Sequence, residues 1–243
     1  MITNEDIKMD TFFDGRLTVF QSVQGYRFSI DAVLLAALPQ PKPGEVVLDI
    51  GTGCGILPLI LAFRHPQVRC MGVELQAELA DIALHNVAAN HMQDRIAIIN
   101  QDIRSISGDK LAGPVDWIVC NPPYRPANSG RINPNGMRAQ ARHEINLTLT
   151  ELMRAARKYL RTGGRIATIY PIGRLVDLLY EMRMAGIEPK WMQSIHSHAN
   201  EAAKLVRVQG LMRGNPGLEV VAPLVIYGPD GAYTRAVNQM MAP

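Results

Sequence analysis

Apolar residues fall along this chain in short blocks that alternate between strand length and helix length. Glu45–Ile50 (EVVLDI) reads as a buried strand, and the apolar stretch Ile56–Phe63 after it reads as a helix. Arg69–Val73 is the next strand-like run. Leu75–Ala89 then places Leu75, Leu79, Ile82, Ala83 and Val87 on one helical stripe. Arg95–Asn100 and Val115–Cys120 predict the third and fourth strands. Thr148 and Glu151 have capping-box spacing ahead of a helix that runs to about Leu160. Gly163 and Gly164 are expected to end that helix, with Arg165–Tyr170 as the fifth strand. Gly173–Ala185 predicts a further helix closed by Gly186. This alternation implies a mostly parallel sheet with right-handed crossovers. The tail is different: Trp191–Ile195, Lys204–Met212 and Val220–Tyr227 are strand-like runs without long helical spacers, which predicts an antiparallel edge. How three runs divide among its last strands is not set by the pattern. Near the start, Asp14–Gln21 alternates like a short strand and Ala32–Leu38 is helical.

Composition narrows the class. The 243 residues suit one α/β domain spanning 1–243, and 47% hydrophobic content is ordinary for a globular chain. The longest apolar stretches are far too short to span a bilayer. The acidic opening Met-Ile-Thr-Asn-Glu-Asp lacks the pattern of a signal peptide. Cys54, Cys70 and Cys120 form no C-x-x-C pair and are expected to be buried, reduced thiols of a cytoplasmic protein, with no metal site. His196 and His198 alternate with no third ligand, so surface or satisfied positions are expected. Trp117 is expected in the core, and His143 as a cap or near the substrate mouth. Charge is uneven: residues 1–100 hold 7 Lys+Arg and 11 Asp+Glu, and residues 101–243 hold 18 and 11. Within the basic half, Arg125, Arg131, Arg138 and Arg142 occur with no acid in Arg125–His143, which suits phosphate contacts.

The chemistry-bearing motifs stand at strand ends. Gly51, Gly53 and Gly55 follow the first of these strands, where glycines permit a tight turn and close approach of a ligand. Glu74 ends the next strand, placed to accept hydrogen bonds from ribose hydroxyls. The NAD pattern would put a glycine at Ile56, and no lysine follows as in a P-loop. With Asp49 two residues ahead of the first glycine, the loop resembles that of class I S-adenosylmethionine (SAM) methyltransferases. That resemblance implies a Rossmann-like α/β fold with a mostly parallel seven-stranded sheet and an antiparallel edge. It also implies SAM contacts from Asp49, Gly51, Gly53, Gly55, Glu74, Asp102 (beside the adenine) and Asn121. An N-terminal element, residues 1–40, would close over the cofactor and bring Tyr26, Arg27, Phe28, Ser29 or Asp31 near it.

Asn121-Pro122-Pro123-Tyr124 ends the fourth strand. Proline brings no N–H and holds the preceding residue extended, so the loop offers acceptors: the Asn121 side-chain oxygen and the Pro122 carbonyl. Such a pair suits gripping an exocyclic –NH2, with Tyr124 against the flat ring. Families with this motif methylate adenine in DNA or RNA, guanine N2 in ribosomal RNA, or a release-factor glutamine; a non-catalytic SAM- or RNA-binding protein is the reading from another class. The segments FQSVQGYRFSIDAVLLA (Phe20–Ala36), DIGTGCGILPL (Asp49–Leu59), NPPY, ARHE (Ala141–Glu144) and NPGLEVVAPLVIYG (Asn215–Gly228) resemble the bacterial tRNA1(Val) adenine-37 N6-methyltransferase family almost end to end. The resemblance implies tRNA as partner, Asn121, Pro122 and Tyr124 as catalytic residues, and Arg125, Arg131, Arg138 and Arg142 against the RNA.

Overall fold

The computed structural model describes residues 7–22, 30–106, 111, 113–122 and 147–242. Two strands, β1 (Ile7–Phe12) and β2 (Leu17–Ser22), form an antiparallel hairpin apart from the main sheet. Its turn uses left-handed backbone at Phe13, Asp14 and Gly15. Only β2 was visible in the residue pattern; β1 is an addition.

After α1 (Ile30–Ala36) come β3 (Val46–Ile50), α2 (Ile56–Arg64), β4 (Arg69–Glu74), α3 (Ala77–Ala89), β5 (Ile96–Asn100) and β6 (Val115–Cys120). Then follow α4 (Leu149–Tyr159), β7 (Leu160–Pro171), α5 (Leu175–Met184), β8 (Ile187–His196) and β9 (Leu205–Met212). Two-residue strands β10 (Glu219–Val220) and β11 (Leu224–Val225) precede α6 (Arg235–Met241). Thr148 and Glu151 form the expected reciprocal capping box on α4.

The main sheet runs β10-β8-β9-β7-β6-β3-β4-β5, with β11 also paired to β8. The long strands β3 to β9 make the expected seven. All are parallel except β9, which enters antiparallel between β7 and β8. The ambiguous tail resolves here: its first two runs are β8 and β9, and the third splits into β10 and β11 along the outer side of β8. One boundary differs from expectation. Helix α4 ends at Tyr159, and Gly163 and Gly164 lie within β7, where the register against β6 jumps between Val115 and Trp117. A Cβ on Gly164 would sit 2.9 Å from the Arg161 carbonyl oxygen, so the irregularity needs a glycine there.

The sheet separates two cores. One packs the hairpin, α1, α2, α3 and α6, with Leu34, Leu59 and Ile60 fully buried; the other packs α4 and α5, with Ile118, Leu152 and Ile166. Trp117 is in the first core, its indole N–H donating to Glu45 at 3.1 Å. Among the described residues no helix is long and apolar enough to cross a membrane, and no group of His, Cys, Asp or Glu could hold a metal ion.

Candidate active site

Parallel strands bring the motifs to one edge of the sheet. Asp49 faces Val119 on one side and Gly72 on the other, and Glu74 faces Asn100. Gly51 is the first residue past β3, Asn121 the first past β6, and Glu74 the last of β4, so all three stand at the ends of neighbouring parallel strands. Gly51 and Thr52 both donate backbone N–H to the Val73 carbonyl, at 2.9 and 3.0 Å. Gly51, Gly53 and Gly55 all adopt positive φ (75°, 57° and 83°). A Cβ at Gly51 or Gly53 would meet no atom within 4 Å, so the loop faces open space. At Gly55 it would stand 3.2 Å from Ala83 Cβ, because the loop turns there against α3.

Glu74 is buried, and its two oxygens accept from Gly53 N–H at 2.8 Å and Gln76 N–H at 2.9 Å. It therefore shapes the glycine loop as well as standing beside it. A carboxylate has about four acceptor positions, so capacity for ribose hydroxyls is left over.

Asp49 is the oddest group in the molecule. It is 1% exposed, and among the described residues neither oxygen has a hydrogen-bond partner. Burial pushes its pKa from 3.8 up to about 7; Thr52 relieves part of this and the Glu74 charge adds to it. The Thr52 hydroxyl lies near, but no hydrogen bond of good geometry joins the two, and that hydroxyl is also unpartnered. Gln21, Glu74, Asn86 and Thr168 all have partners, and Arg207 bonds through its two terminal nitrogens but not through Nε. A buried carboxylate without a partner is costly, so an orphan pair beneath an open glycine loop fits a cationic ligand such as the α-ammonium of SAM.

Asp102, after β5, holds Arg104 through both oxygens (Nε at 2.9 and 2.8 Å, a terminal nitrogen at 2.6 Å), and those hydrogen bonds lower its pKa. Arg104 also reaches Glu151 at 3.1 Å, tying this loop to the first turn of α4. An adenine contact from Asp102 would thus come from an acid already engaged. Asn121 is half-buried and Pro122 buried at the end of β6. The strand end is fixed on both sides: Cys120 donates its thiol to the Ile50 carbonyl at 3.1 Å, and Thr168 donates to the Cys120 carbonyl at 2.9 Å. Tyr26, Arg27, Phe28, Ser29, Tyr124, Arg125, Arg131, Arg138, Arg142 and His143 fall outside the described residues. Asp31 lies in the first turn of α1.

Sequence reasoning missed Asn86 on α3 and, four residues on, Asn90 at the C-cap of that helix. Their side-chain amides pair with the backbone of β2 as another strand would. Asn90 meets Thr18 N–H and carbonyl at 2.9 and 2.6 Å; Asn86 meets those of Phe20 at 2.6 and 2.9 Å. Asn86 also donates to the Cys54 carbonyl at 2.8 Å, linking the hairpin to the glycine loop. The available signal was two asparagines at i, i+4 beside an apolar helical stripe.

The three cysteines are free and buried as expected. His196 is satisfied by Ser194 and the Glu201 carbonyl, and His198 by Glu201. A groove of about 810 Å³ between α1, α2 and α6 is lined by Arg16, Arg64 and His65 and lies at the opposite end of the sheet from Asn121.

Comparison with known proteins agrees with this geometry. Residues 29–171 match the family model described as methyltransferase small domain. A tRNA1(Val) (adenine(37)-N6)-methyltransferase of Porphyromonas gingivalis is 39% identical over 175 residues, covering 70% of this chain and 68% of the relative. One from a Shewanella species is 30% identical over 217 residues, covering 88% and 89%. Among solved structures, a predicted O-methyltransferase of Agrobacterium tumefaciens superposes with TM-score 0.70 at 20% identity, covering 86% of this chain and 94% of that one. A class I SAM-dependent methyltransferase of Listeria monocytogenes gives 0.57 at 14% identity, covering 82% and 65%.

Proposed function

The chain belongs to the tRNA1(Val) (adenine(37)-N6)-methyltransferase family, and from that premise we propose that it methylates the N6 amine of adenine 37 in the anticodon loop of a valine tRNA, in the cytoplasm. The observation that supports the reading is that Asn121, Gly51 and Glu74 stand at the ends of neighbouring parallel strands, with the orphaned carboxylate of Asp49 two residues before Gly51. The chain acts as one catalytic unit, with residues 1–40 closing over the cofactor.

Bound in this site, SAM supplies a methyl group on a sulfonium that is already a good leaving group. Asp49 offers charge to the methionine ammonium, Glu74 accepts from the ribose hydroxyls, and Gly51, Gly53 and Gly55 let the backbone lie close beneath. Asp102 borders the adenine. Asn121 Oδ1 and the Pro122 carbonyl accept both N–H bonds of the target amine, which favours pyramidal geometry and frees the nitrogen lone pair for the methyl carbon. The same acceptors stabilise positive charge developing on that nitrogen, the counterpart of an oxyanion hole. An asparagine cannot serve as general base, and none is needed before transfer; the proton leaves afterwards. Tyr124 stacks on the adenine, which is unpaired or turned out of its stack. Arg125, Arg131, Arg138 and Arg142 contact phosphates.

The test is incubation with methyl-labelled SAM and, separately, tRNA, ribosomal RNA, DNA and a release factor, followed by digestion of the labelled product. N6-methyladenosine from tRNA is the expected result. Label in N2-methylguanosine or in glutamine would overturn the substrate, and no transfer to any of them would overturn catalysis.

A further inference from the structure

The tail NPGLEVVAPLVIYG has no part in the chemistry above, yet it ends on the same edge of the sheet. β8 and β11 run in the direction of β6, so their last residues emerge where Asn121 does. Tyr227 follows β11, with its N–H bonded to the Ser197 carbonyl just past β8. Chain return over the turn 228–231 lays Tyr233 on Tyr227, with ring centroids 5.4 Å apart and 18° between planes. The His198 ring also stands against Tyr227, at 5.6 Å and 32°. Tyr227 packs against the core, whereas Tyr233 keeps 37% of its surface exposed and the His198 side chain 45%.

We propose that His198, Tyr227 and Tyr233 form a stacking platform for unpaired RNA bases that flank the target nucleotide. The proposal rests on the tRNA reading. From β6 to β8 there are three strand spacings, ~14 Å, and to β11 ~19 Å. At ~3.4 Å per stacked nucleotide that is about four to six nucleotides, within the reach of one RNA loop.

The ground between carries paired charges. Arg174, just past β7, lies over the Tyr170 ring at 5.5 Å, and Lys204 is two-thirds exposed at the start of β9. The Lys204 carbonyl accepts from Ile172 N–H at 3.0 Å, which joins the ends of β7 and β9. The carboxylates here are engaged: Asp177 by Arg174 at 3.1 Å, and Glu201 by His198 and Lys204 at 3.2 and 3.3 Å. Asp230, in the turn, accepts from Ala232 N–H. Aromatic faces read any base, so the platform adds affinity and fixes the path of the loop without adding a sequence rule.

The experiment measures binding of an unmodified valine tRNA transcript to wild type, Tyr233→Leu and Tyr233→Phe across a salt series, with SAM affinity and melting temperature alongside. Leucine keeps apolar contact with Tyr227 but has no π face. Tyr233→Leu should weaken RNA binding about tenfold, and Tyr233→Phe should hold the wild-type value. The slope of log affinity against log salt should stay unchanged, because no phosphate contact is lost. Wild-type affinity in Tyr233→Leu overturns the platform, as does an equal loss in Tyr233→Phe or a flattened slope. If Tyr233→Leu does not fold, His198→Ala serves the same comparison. Wild type that binds no tRNA would overturn the tRNA reading and the platform together, a result separable from failure of the platform alone.

Discussion

Replacing Asp49 with asparagine should remove a loss of stability that the wild-type protein without cofactor undergoes as pH rises, while weakening its hold on SAM. The carboxyl is moved from 3.8 to about 7 by burial. Between those values the folded state keeps a proton that the unfolded chain has released, so folding loses stability as pH rises and levels off above about 7. The full penalty is about 4 kcal/mol, and about 3 kcal/mol of it develops between pH 5 and 8.5. Asparagine does not titrate. Whatever its amide costs in that pocket is the same at every pH, so the difference between variant and wild type isolates the carboxyl. Urea unfolding followed by tryptophan fluorescence gives both stabilities. The variant should gain about 3 kcal/mol on wild type from pH 5 to 8.5, with m unchanged. Addition of SAM should reverse the order, because the ammonium restores value to the charge only in wild type. A variant-minus-wild-type difference that is flat in pH would refute the reasoning.

Three other outcomes follow from the same geometry. Asn121→Ala should lower turnover roughly 10²-fold or more, as loss of one charge-stabilising hydrogen bond does, with SAM affinity by calorimetry almost unchanged; near-normal turnover would sink the mechanism. Asn86→Leu removes the contacts to Phe20 and Cys54, so it should cost roughly 1–3 kcal/mol and weaken SAM binding. Hydrogen exchange should quicken at Phe20, and protection there equal to wild type would disprove the clamp. Burial pushes the Cys54 and Cys70 thiols up to about 12 and Cys120 well above its usual value. All three should therefore resist a thiol reagent at pH 8 until the protein unfolds, and fast labelling of the folded protein would contradict that packing.

The parallel core was legible because each βα unit carries its own signals: a β-branched run, a strand-end motif, then a helical stripe. Register was implied by the same pattern, since the glycines, Glu74 and Asn121 each close a strand and parallel strands end together. What escaped depends on partners far along the chain. Ile7–Phe12 pairs only with β2, and Met9 stays 56% exposed, so its alternation lacks a clean buried face. Gly163 and Gly164 looked like the end of a helix because glycine favours both that position and a strand irregularity. Only the close approach to the Arg161 carbonyl separates the two. Asn86 and Asn90 were read past because an amide on a helix face gives no hint that a strand will dock on it.

Two buried charges show where the limit of sequence reasoning lies. Arg207 and Asp49 both stand in strands among apolar neighbours, and nothing local says which is structural. Arg207 donates to the Leu34 carbonyl at 2.6 Å and to Gln193, and lies over the Trp191 ring at 5.6 Å. It ties α1 to β8, and it stays charged although burial lowers its pKa to about 10. Asp49 has no such partner. Chain groups satisfy Thr168 and Asn86, and Arg207 lacks a partner only at Nε, whereas both oxygens of Asp49 lack one among the described residues. On the proposed reading, its place under the glycine loop, one strand from Asn121, would make the missing partner a cation delivered with the methyl donor. Its unmet charge is then the part of the site that distinguishes a chain with SAM bound from one without it.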